Sequence, residues 1–476
     1  MIYPERIQPL NKKPFGRGDF VVYWMQASQR AECNHALEYA VGRANDANQP
    51  LVAVFALMDD YPEANERHYA FMLEGLAETK ARLERRGVQL AVRRGHPPEV
   101  AAEMAGRASL LVADRGYLRH QRRWRRDVAA AAPCRVVQVE TDVVVPVEAA
   151  SGKQEYAART IRPKLHREWK KYLVAPKRGK LKRDSLALKL GSIDLGDVEK
   201  VLASLNVDRS VGRSSHYLGG ASRARKLLRS FISEKLRYYG ETRNDPSLDI
   251  QSHMSPYLHF GQISPLEIAL EIRRARGHGR QNKDAYLEEL LVRRELAMNF
   301  VYYSKRYDSY SCLPSWARTT LKIHRRDKRP HRYSRLQLEA CQTHDPYWNA
   351  AMREMVATGK MHNYMRMYWG KKIIEWTASP QAAFRLMLEL NNRYFIDGRD
   401  PASYTNVAWC FGLHDRPWAR RPIFGTVRYM AAAGLESKFH IDDYVRKVEA
   451  LCRAHCPPPL VKTRRIKLEK HPRPSA

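Results

Sequence analysis

Residues 345–376 read DPYWNAAMREMVATGKMHNYMRMYWGKKIIEW, and residues 390–416 read LNNRYFIDGRDPASYTNVAWCFGLHDR. Together these two segments hold four of the nine tryptophans, Trp348, Trp369, Trp376 and Trp409. Trp369 and Trp376 are seven residues apart, so on a helix they lie on nearly the same face. Periodicity alone favours a hydrophobic core seam for this stripe. The alternative is a row of redox-active indoles that leads to a buried cofactor.

Composition indicates a soluble globular protein with an anionic partner. Of the 476 residues, 44% are hydrophobic and 28% charged, and the formal net charge is +32. Such a basic balance favours nucleic acid or a membrane surface. No apolar run approaches the roughly 18 residues of a membrane helix. The N-terminus lacks the apolar core of a signal peptide, and the seven cysteines are scattered, so we expect reduced thiols and a cytoplasmic protein, or a nuclear one in a eukaryote.

The first 150 residues alternate between strand-like and helix-like patterns. Runs rich in Val, Leu and Ala predict strands at 19–26, 50–57, 88–95, 108–114 and 134–140, and helical patterns lie between them at 30–47, 65–86, 97–106 and 119–131. This order predicts a Rossmann-like, parallel five-stranded sheet with helices on both faces. Such sheets bind ligands beyond the carboxyl ends of their strands. The first strand continues as YWMQASQR without a G-x-G-x-x-G loop, so a dinucleotide phosphate loop is not predicted.

The remaining chain divides into a basic connector and a larger helical part. We predict an α/β domain at 16–150, a connector at 151–215, an all-α domain at 216–456 and a basic flexible tail at 457–476. Between residues 159 and 183 there are eleven Lys or Arg and one acid, which fits either a solvated linker or phosphate contact. Helices are predicted at 220–239, 264–277, 284–304, 334–343, 346–376, 379–393 and 439–454.

The segment SHMSPYLHFGQISP, residues 252–265, predicts an anion site at two helix starts. Pro256 and Pro265 are each placed to begin a helix, with Ser255 and Ser264 as N-caps. Free backbone N–H groups and hydroxyls at such starts bind anions, although two capped helices without a ligand are the plainer alternative. The only close cysteine pair, Cys452 and Cys456 beside His455, has no second ligand pair, so no metal site is predicted.

Several ordered motifs resemble one family, the class II CPD photolyases, which are flavin-dependent DNA repair enzymes. The motifs are VVYWMQASQR (21–30), GKQEYAARTIRPKL (152–165), RNDP (243–246), SPYLHFGQIS (255–264), EELLVRRELAMNF (288–300), THDPYWNA (343–350), GKMHNYMRMYWGKKIIEW (359–376), LNNRYFIDGRDP (390–401) and HDR (414–416). The resemblance runs from about residue 16 to residue 455. It implies an α/β antenna domain, a long connector and an all-α C-terminal domain that holds FAD in a folded conformation.

The resemblance also implies the reaction and the cofactor residues. One electron from light-excited, reduced flavin splits a cyclobutane pyrimidine dimer that is flipped out of the DNA duplex. The implied FAD-binding residues are Tyr239, Arg243, Ser252, His253, Met254, Ser255, Arg366, Trp369, Asn391 and Asp397. Asn391 would face flavin N5, and Asp397 would lie near the pyrimidine edge of the ring. Taken alone, Asn391 also fits a helix-terminal asparagine, and Asp397 a turn aspartate.

The lesion pocket is implied in the same way. Glu289 resembles the acid that hydrogen-bonds the base edge of the dimer, although alone it is one carboxylate of a charged helix, four residues before Arg293. The other implied substrate residues are Arg293, Tyr364, Met367, Trp409 and Arg416, the last paired with Asp415. Some relatives carry a tryptophan where this chain has Arg293, which changes that wall of the pocket. Arg420, Arg421 and Arg428 are expected to contact phosphates.

The resemblance assigns an electron relay to Trp369, Trp376 and Trp348, in that order from flavin to surface, with Tyr368 and Tyr333 as lesser contributors. The relay would reduce oxidised flavin under light and is distinct from repair. A cryptochrome-like photoreceptor without repair activity is the main alternative, and a basic nucleic-acid-binding module without chemistry is the other. The sequence leaves open whether the antenna domain holds a deazaflavin, a folate or nothing. We expect a monomer whose partner is DNA containing dimers, with no membrane contact.

Overall fold

The Val-, Leu- and Ala-rich runs of the first 150 residues form one sheet. The fold is taken from a computed structural model that describes residues 2–455. The strands are β1 Ile7–Pro9, β2 Phe20–Trp24, β3 Leu51–Leu57, β4 Gln89–Arg94, β5 Ala108–Asp114 and β6 Arg135–Val139. Their order is β1-β6-β5-β2-β3-β4, with only the β1–β6 pair antiparallel. The predicted α/β fold is confirmed, with one strand more than the five expected, because β1 has three residues including Pro9 and leaves almost no pattern.

Both faces of the sheet are buried, as the absence of polar alternation predicts. Along β2, Val21 and Tyr23 pack into the core on one face, while Val22 and Trp24 pack into the core on the other. The covering helices are His35–Asp46, Glu66–Glu84, Pro97–Ala105 and Arg119–Ala131. Each begins and ends within about five residues of its predicted limits.

The connector region contains more helix than its composition indicates. It includes Ala158–Tyr172 and Val198–Ser204, and the short helix Val147–Ala150 precedes it. Pro163 lies inside the helix Ala158–Tyr172. Because proline usually ends or kinks a helix, the sequence pattern does not predict this one. Arg162 of this helix pairs with Glu288 at 2.7 Å and so ties the connector to the helical domain. The predicted tail at 457–476 lies outside the described residues, and the predicted domain limits remain predictions.

The C-terminal part is helical throughout. Its α-helices are Ala221–Ser230, Tyr239–Thr242, Ser255–His259, Pro265–Arg274, Arg280–Leu287, Arg294–Tyr303, Ser315–Ile323, Arg335–Glu339, Pro346–Thr358, Asn363–Trp376, Pro380–Tyr394, Pro401–Cys410, Ala432–Glu436 and Ile441–His455. Wider π-helical turns occur at Phe231–Lys235 and Glu288–Arg293. Within residues 2–455, none of the helices has the length and apolar character needed to cross a membrane.

Three local predictions differ from the structure. The helix predicted at 346–376 is two helices, because Gly359 adopts a left-handed conformation (φ 81°) after Thr358. Ser264 caps its helix by accepting from the N–H of Leu266, as predicted, whereas Ser255 is the first residue of its helix and Met254 precedes it. The helix Pro401–Cys410 was not predicted, because Asp400 and Pro401 read as part of a turn; Asp400 in fact caps it.

Gly359 sets the angle between the two tryptophan-bearing helices, so its replacement is expected to destabilise the protein. A Cβ there would lie 2.5 Å from Cγ1 of Ile396, and the positive φ is strained for alanine. Gly359→Ala should lower the free energy of unfolding by about 1–3 kcal/mol. Urea denaturation of the two proteins measures this. Gly42→Ala is the matched control, since nothing lies within 4 Å of its Cβ position, and equal effects of both substitutions would contradict the account.

The N-terminal domain directly supports the turn that follows the Pro380–Tyr394 helix. The guanidinium of Arg67 donates to the carbonyls of Met355 and Tyr394 at 3.2 and 2.9 Å. Nδ1 of the His68 ring accepts from the backbone N–H of Asn65, which precedes the same helix. Nε2 of the ring donates to the carbonyl of Phe395 at 2.9 Å. The two domains therefore share buried hydrogen bonds at the residues that precede Asp397.

Candidate functional site

A salt bridge joins a predicted cofactor residue to a predicted substrate residue. Arg243, which follows the short helix Tyr239–Thr242, pairs with Glu289 at 2.6 Å, and its guanidinium lies 5.8 Å from the ring centre of Tyr239. Glu289 sits in the π-helical turn Glu288–Arg293, a conformation that is frequent at functional sites. The two predicted subsites are thus in contact through one ion pair.

The same π-helical turn redirects Arg293. In a π-helix, residues five apart share a face, so Arg293 pairs with Glu288 at 3.3 Å and not with Glu289, four residues away. The spacing of four between Glu289 and Arg293, which would suit a pair on an α-helix, therefore does not produce one here. Glu289 keeps one contact, Arg243, and remains a third exposed, which leaves the carboxylate accessible from the site.

The segment 252–255 lies against a group of buried donors. His253 has a left-handed backbone (φ 58°), and its ring contacts the Tyr217 hydroxyl at 2.6 Å and the Asp249 carboxylate at 2.8 Å. Burial lowers the pKa of His253 to about 4 and that of neighbouring Lys360 to about 8, with their nitrogens 3.2 Å apart. Ser252 accepts from the hydroxyl of Tyr286 at 3.0 Å, Met254 is buried, and Ser255 starts its helix.

Lys360 and Tyr217 were missed by the sequence reasoning. Lys360 follows Gly359 in the break between two helices, where a lysine reads as an ordinary surface residue. Tyr217 belongs to a stretch without a sustained pattern. The signal for Lys360 is its place inside the motif GKMHN, which the resemblance includes without assigning it a role.

A second cluster forms where the helix Asn363–Trp376 faces the turn after Pro380–Tyr394. Arg366 pairs with Asp397 at 3.2 Å, and its guanidinium stacks on Phe395 at 3.7 Å from the ring centre. Asn391 is 1% exposed and donates to Oδ1 of Asn392 at 3.0 Å. The structure therefore joins Arg366 to Asp397, while Asn391 lies buried in the helix that leads into the same turn; their roles toward a cofactor remain predictions.

Three buried indoles form a continuous row beside this cluster. Trp348 donates from Nε1 to the carbonyl of Trp369 at 3.0 Å, and its ring centre lies 5.4 Å from that of Trp376. Beyond Trp376 stand Tyr333 and His344, with ring centres at 5.1 and 5.5 Å. Trp348 thus contacts the backbone of Trp369 and the ring of Trp376, which favours the order Trp369, Trp348, Trp376 over the predicted one.

The indole nitrogens of the three tryptophans differ in their hydrogen bonding. Within residues 2–455, Nε1 of Trp369 and Nε1 of Trp376 are buried without a hydrogen-bond partner, whereas Nε1 of Trp348 donates to a carbonyl. Tyr368, the predicted minor contributor, donates to the Asp345 carboxylate, and burial raises the pKa of its hydroxyl. Lys372 lies 5.8 Å from the ring centre of Trp376 and pairs with Glu375 at 2.9 Å.

Trp409 stands apart from the row, on the helix Pro401–Cys410, and is half-buried between two cations. Nζ of Lys371 lies 5.4 Å from its ring centre and the guanidinium of Arg428 lies 6.0 Å away. Lys371 is fully buried, and burial lowers its pKa to about 8. Arg428 also lies 4.8 Å from the ring centre of the exposed Trp418. This forms an aromatic and cationic surface that continues from Trp409 to solvent.

The remaining predicted substrate residues are dispersed around that surface. Arg416 stacks its guanidinium on Trp418 at 5.1 Å, while Asp415 accepts the backbone N–H of Arg416, so the expected side-chain pair is replaced. Met367 is half-buried on the Asn363–Trp376 helix. Tyr364 packs edge-on against Phe439 with ring centres 5.0 Å apart. Their roles toward a substrate remain predictions.

A separate large cavity opens at the carboxyl ends of the parallel strands, where such sheets bind ligands. Its volume is about 1020 Å³ when the open solvent at its mouth is included. The wall combines residues after β2, β3 and β5 with residues of the helical domain: Trp24, Gln26, Phe55, Met58, Tyr61, Tyr117, Trp124, Phe260 and Arg399. It is largely aromatic, with a few polar groups.

Comparison with known proteins gives consistent matches. The DNA photolyase family model matches residues 21–180. A deoxyribodipyrimidine photo-lyase of Methanothermobacter thermautotrophicus is 52% identical over 95% of this chain and 99% of its own. The fold is similar to a bacterial class III photolyase from Agrobacterium tumefaciens (TM-score 0.72, 19% identity, 91% and 86% coverage) and to an archaeal photolyase from Sulfolobus tokodaii with two FAD molecules (0.67, 14%, 90% and 89%).

Proposed function

Because this chain belongs to the DNA photolyase family, we propose that it binds FAD and repairs cyclobutane pyrimidine dimers in DNA in a light-driven reaction. The observation that carries the proposal is the 52% identity to a deoxyribodipyrimidine photo-lyase along almost its whole length. Membership of class II remains a prediction, as do the monomeric state and the cytoplasmic or nuclear location.

The described residues fit FAD on their chemistry. Arg243, His253 and Lys360 supply cationic and donor groups on one side of the site, which suits a diphosphate. Lys360 is half-buried, and a partly desolvated charge is costly without an anionic partner. On the other side, Arg366, Asn391 and Asp397 offer donors and acceptors for a polar ring edge. Bound there, reduced FAD excited by light supplies the electron that splits the dimer.

The protein's own part is to hold and orient these groups. Asn392 accepts from Asn391 and donates to Glu63 at 2.7 Å, so the Asn391 amide is fixed in one orientation. Arg366 holds the Asp397 carboxylate, which we propose accepts an N–H of the flavin ring. Trp369, which lies against Phe395 of the same cluster, would donate an electron to the cofactor, and the electron that it loses would be replaced from Trp348 and then from Trp376.

For the substrate, we propose that the dimer is flipped into a pocket walled by Trp409 and bounded by Glu289. An indole wall suits stacking on a flipped base, and the neighbouring guanidinium of Arg428 suits a negatively charged DNA strand. The Arg243–Glu289 pair would hold the carboxylate that meets the base edge at a fixed distance from the cofactor. Exposed Trp418 extends the same surface toward the duplex.

We propose that the cavity at the strand ends holds an antenna chromophore. Its aromatic wall suits a flat ring, and the related Sulfolobus tokodaii photolyase contains two FAD molecules. A photoreceptor without repair activity is less well supported, because the curated relatives that match most of this chain are named deoxyribodipyrimidine photo-lyases.

The proposal is tested by DNA binding in the dark followed by illumination. The FAD-loaded, reduced protein should bind a duplex with one dimer more tightly than the undamaged duplex in the dark. Light should then release the DNA, because repair removes the lesion that is recognised. A photoreceptor without repair activity would bind the damaged and the undamaged duplex equally in the dark. If light released both duplexes to the same extent, that result would also contradict repair.

The exposed loop that follows Trp418 should contact phosphates, and Arg421→Gln tests this. The Arg421 side chain is exposed and stacks on Tyr429 at 4.8 Å, away from Trp409. The substitution should weaken binding of damaged and undamaged DNA by the same factor and reduce the slope of log affinity against log salt by about 1. Arg43→Gln, at an exposed ion pair on the α/β domain, is the control. An unchanged slope in Arg421→Gln would exclude the contact.

A further inference from the structure

Exposed cations are concentrated on the segment 318–332. This segment begins on the helix Ser315–Ile323 and continues through the turn after it. We propose that the cluster, which we call the basic patch, binds the phosphate backbone of one arm of the DNA duplex, beyond the dimer. The inference rests on the proposed function and adds a second DNA surface outside the lesion pocket. The members of the basic patch are Arg318, Lys322, Arg325, Arg326, Lys328 and Arg332.

The positive charge of the basic patch is not neutralised by neighbouring acids. Within residues 2–455, no carboxylate oxygen lies within 4.0 Å of its side-chain nitrogens. Other exposed arginines do have such partners: Arg107 pairs with Asp19 at 2.9 Å, and Arg119 pairs with Asp308 at 2.9 Å. A group of unbalanced Lys and Arg on one surface is typical of a site that binds a polyanion.

Asp327, the single acid of the segment, is engaged inside the fold. Its carboxylate accepts from the backbone N–H of Ile423 at 2.8 Å and from Nδ1 of His324 at 2.7 Å. The bond from Ile423, followed by that from His324, holds the pKa of Asp327 below its ordinary value, so the carboxylate is ionised at neutral pH. Six exposed cations less this one carboxylate leave five positive charges.

The turn that presents the basic patch is held from the inside by Arg329. The Arg329 side chain is buried, and its guanidinium donates to the carbonyls of Arg325 and Asp327 at 3.0 and 3.1 Å. The exposed side chains of Arg325, Arg326 and Lys328 therefore extend from a fixed turn. A preformed turn loses less conformational entropy on binding than a flexible tail does.

The loop that follows Trp418 rests on the helix and turn that carry the basic patch. The backbone N–H of Ile423 donates to Asp327, and that of Thr426 donates to Oγ1 of Thr320 at 3.0 Å. The loop and the basic patch therefore form one continuous surface.

The same loop connects the basic patch to Trp409. At the end of the loop, the guanidinium of Arg428 lies 4.8 Å from the ring centre of Trp418 and 6.0 Å from that of Trp409. The order across the surface is thus Trp409, Arg428, the loop and the basic patch. Because the patch is reached from Trp409 over this loop, a duplex whose dimer is at Trp409 can lay one of its two arms over the patch, but not both.

The size of the basic patch suits several phosphates. The helix Ser315–Ile323 has 9 residues and is roughly 13 Å long, and the turn extends beyond it. Duplex DNA carries one charge per about 1.7 Å of its axis, so an arm that lies along the patch brings several phosphates within reach. Each neutralised phosphate releases counterions, which makes the contribution of the patch dependent on salt.

The first test shortens one arm of the DNA at a time. Binding to wild-type protein in the dark is measured for a duplex with arms of about twelve base pairs on both sides of one thymine dimer, and for two duplexes in which one arm is cut to about three. Shortening one particular arm should weaken binding by at least about tenfold, and shortening the other should change it by less than about twofold. The salt dependence should become less steep with the loss of the first arm only.

The second test removes charge from the turn of the basic patch. A triple variant, Arg325→Gln with Arg326→Gln and Lys328→Gln, should lose most of the difference between the two arms. Its slope of log affinity against log salt should become less steep by about 2–3. The matched control replaces three exposed cations of the α/β domain, Lys12, Lys13 and Arg17, by glutamine, and should keep both the arm dependence and the slope of the wild type.

The outcomes separate this inference from the repair proposal. Equal affinity of wild-type protein for the two shortened duplexes would overturn the basic patch, as would an equal loss of slope in the control. The arm comparison uses wild-type protein, so it decides the question even if the triple variant fails to fold, which its melting temperature would show. If damaged and undamaged duplexes bind equally, lesion recognition fails, while the salt slope of the triple variant on undamaged duplex still reports on the patch. An unchanged slope there would overturn it.

Discussion

Trp369→Phe will nearly abolish light-driven reduction of the bound cofactor and leave repair by chemically reduced protein within about twofold of wild type. Benzene rings are much poorer one-electron donors than indoles, so the first step of the row is lost. A barrier raised by about 3 kcal/mol corresponds to a rate roughly a hundredfold lower. The substitution costs little else in polar contacts, because Nε1 of Trp369 has no hydrogen-bond partner. Absorbance changes under illumination, with and without prior chemical reduction, measure both quantities.

Two further variants make this prediction specific. Trp169→Phe is the matched control, since its Nε1 is also buried without a partner but it lies in the connector helix. It should leave photoreduction unchanged. Trp348→Phe should be as severe as Trp369→Phe, because Trp348 lies between the other two indoles. If Trp348→Phe left photoreduction intact while Trp376→Phe abolished it, the order along the row would be wrong. Loss of repair in pre-reduced Trp369→Phe would indicate a structural role.

Trp409→Ala is expected to remove most of the preference for damaged DNA. Stacking of a base on an aromatic side chain contributes about 1–3 kcal/mol, so affinity for a dimer-containing duplex should fall about ten- to a hundredfold. Affinity for undamaged duplex should change little, because we expect the arginines of the neighbouring loop to make the phosphate contacts. Gel-shift titrations of both duplexes in the dark provide the comparison.

The control for this variant is Trp418→Ala, on the same surface but exposed. It removes an indole that Arg416 and Arg428 both stack on, without opening the half-buried wall. We expect a smaller loss, shared by damaged and undamaged DNA. If Trp409→Ala weakened both duplexes equally, Trp409 would support the DNA surface in general and would not be the wall of a lesion pocket.

The α/β half of the fold was predictable because its strands are buried on both faces and separated by helices. Such runs are apolar at successive positions, without a polar–apolar alternation, and their ends are clear. Five strands could therefore be predicted directly from the sequence. Strand β1 could not, since it is three residues long and pairs only at the edge. The break at Gly359 was missed because the flanking helices share an apolar period. Only the φ of 81° there shows that the chain turns.

The sequence names candidate members of the site but does not predict their contacts. Spacing places Trp369 and Trp376 on one helical face, yet it cannot show that Trp348, from the preceding helix, lies between them. The Arg243–Glu289 pair joins residues 46 positions apart, and the π-helical turn that turns Arg293 toward Glu288 has no sequence signature. Half-buried Lys360 and buried Lys371 escaped notice because lysines are normally exposed.

Repair in a single turnover tests the central claim most directly. Pre-reduced, FAD-loaded protein in excess over a duplex with one thymine dimer is exposed to measured doses of light, and restored thymines are counted by chromatography. The account predicts restoration that rises with dose until every bound dimer is split, with none in the dark. A protein that absorbs the light with reduced FAD bound, holds the damaged duplex and restores no thymine would contradict it.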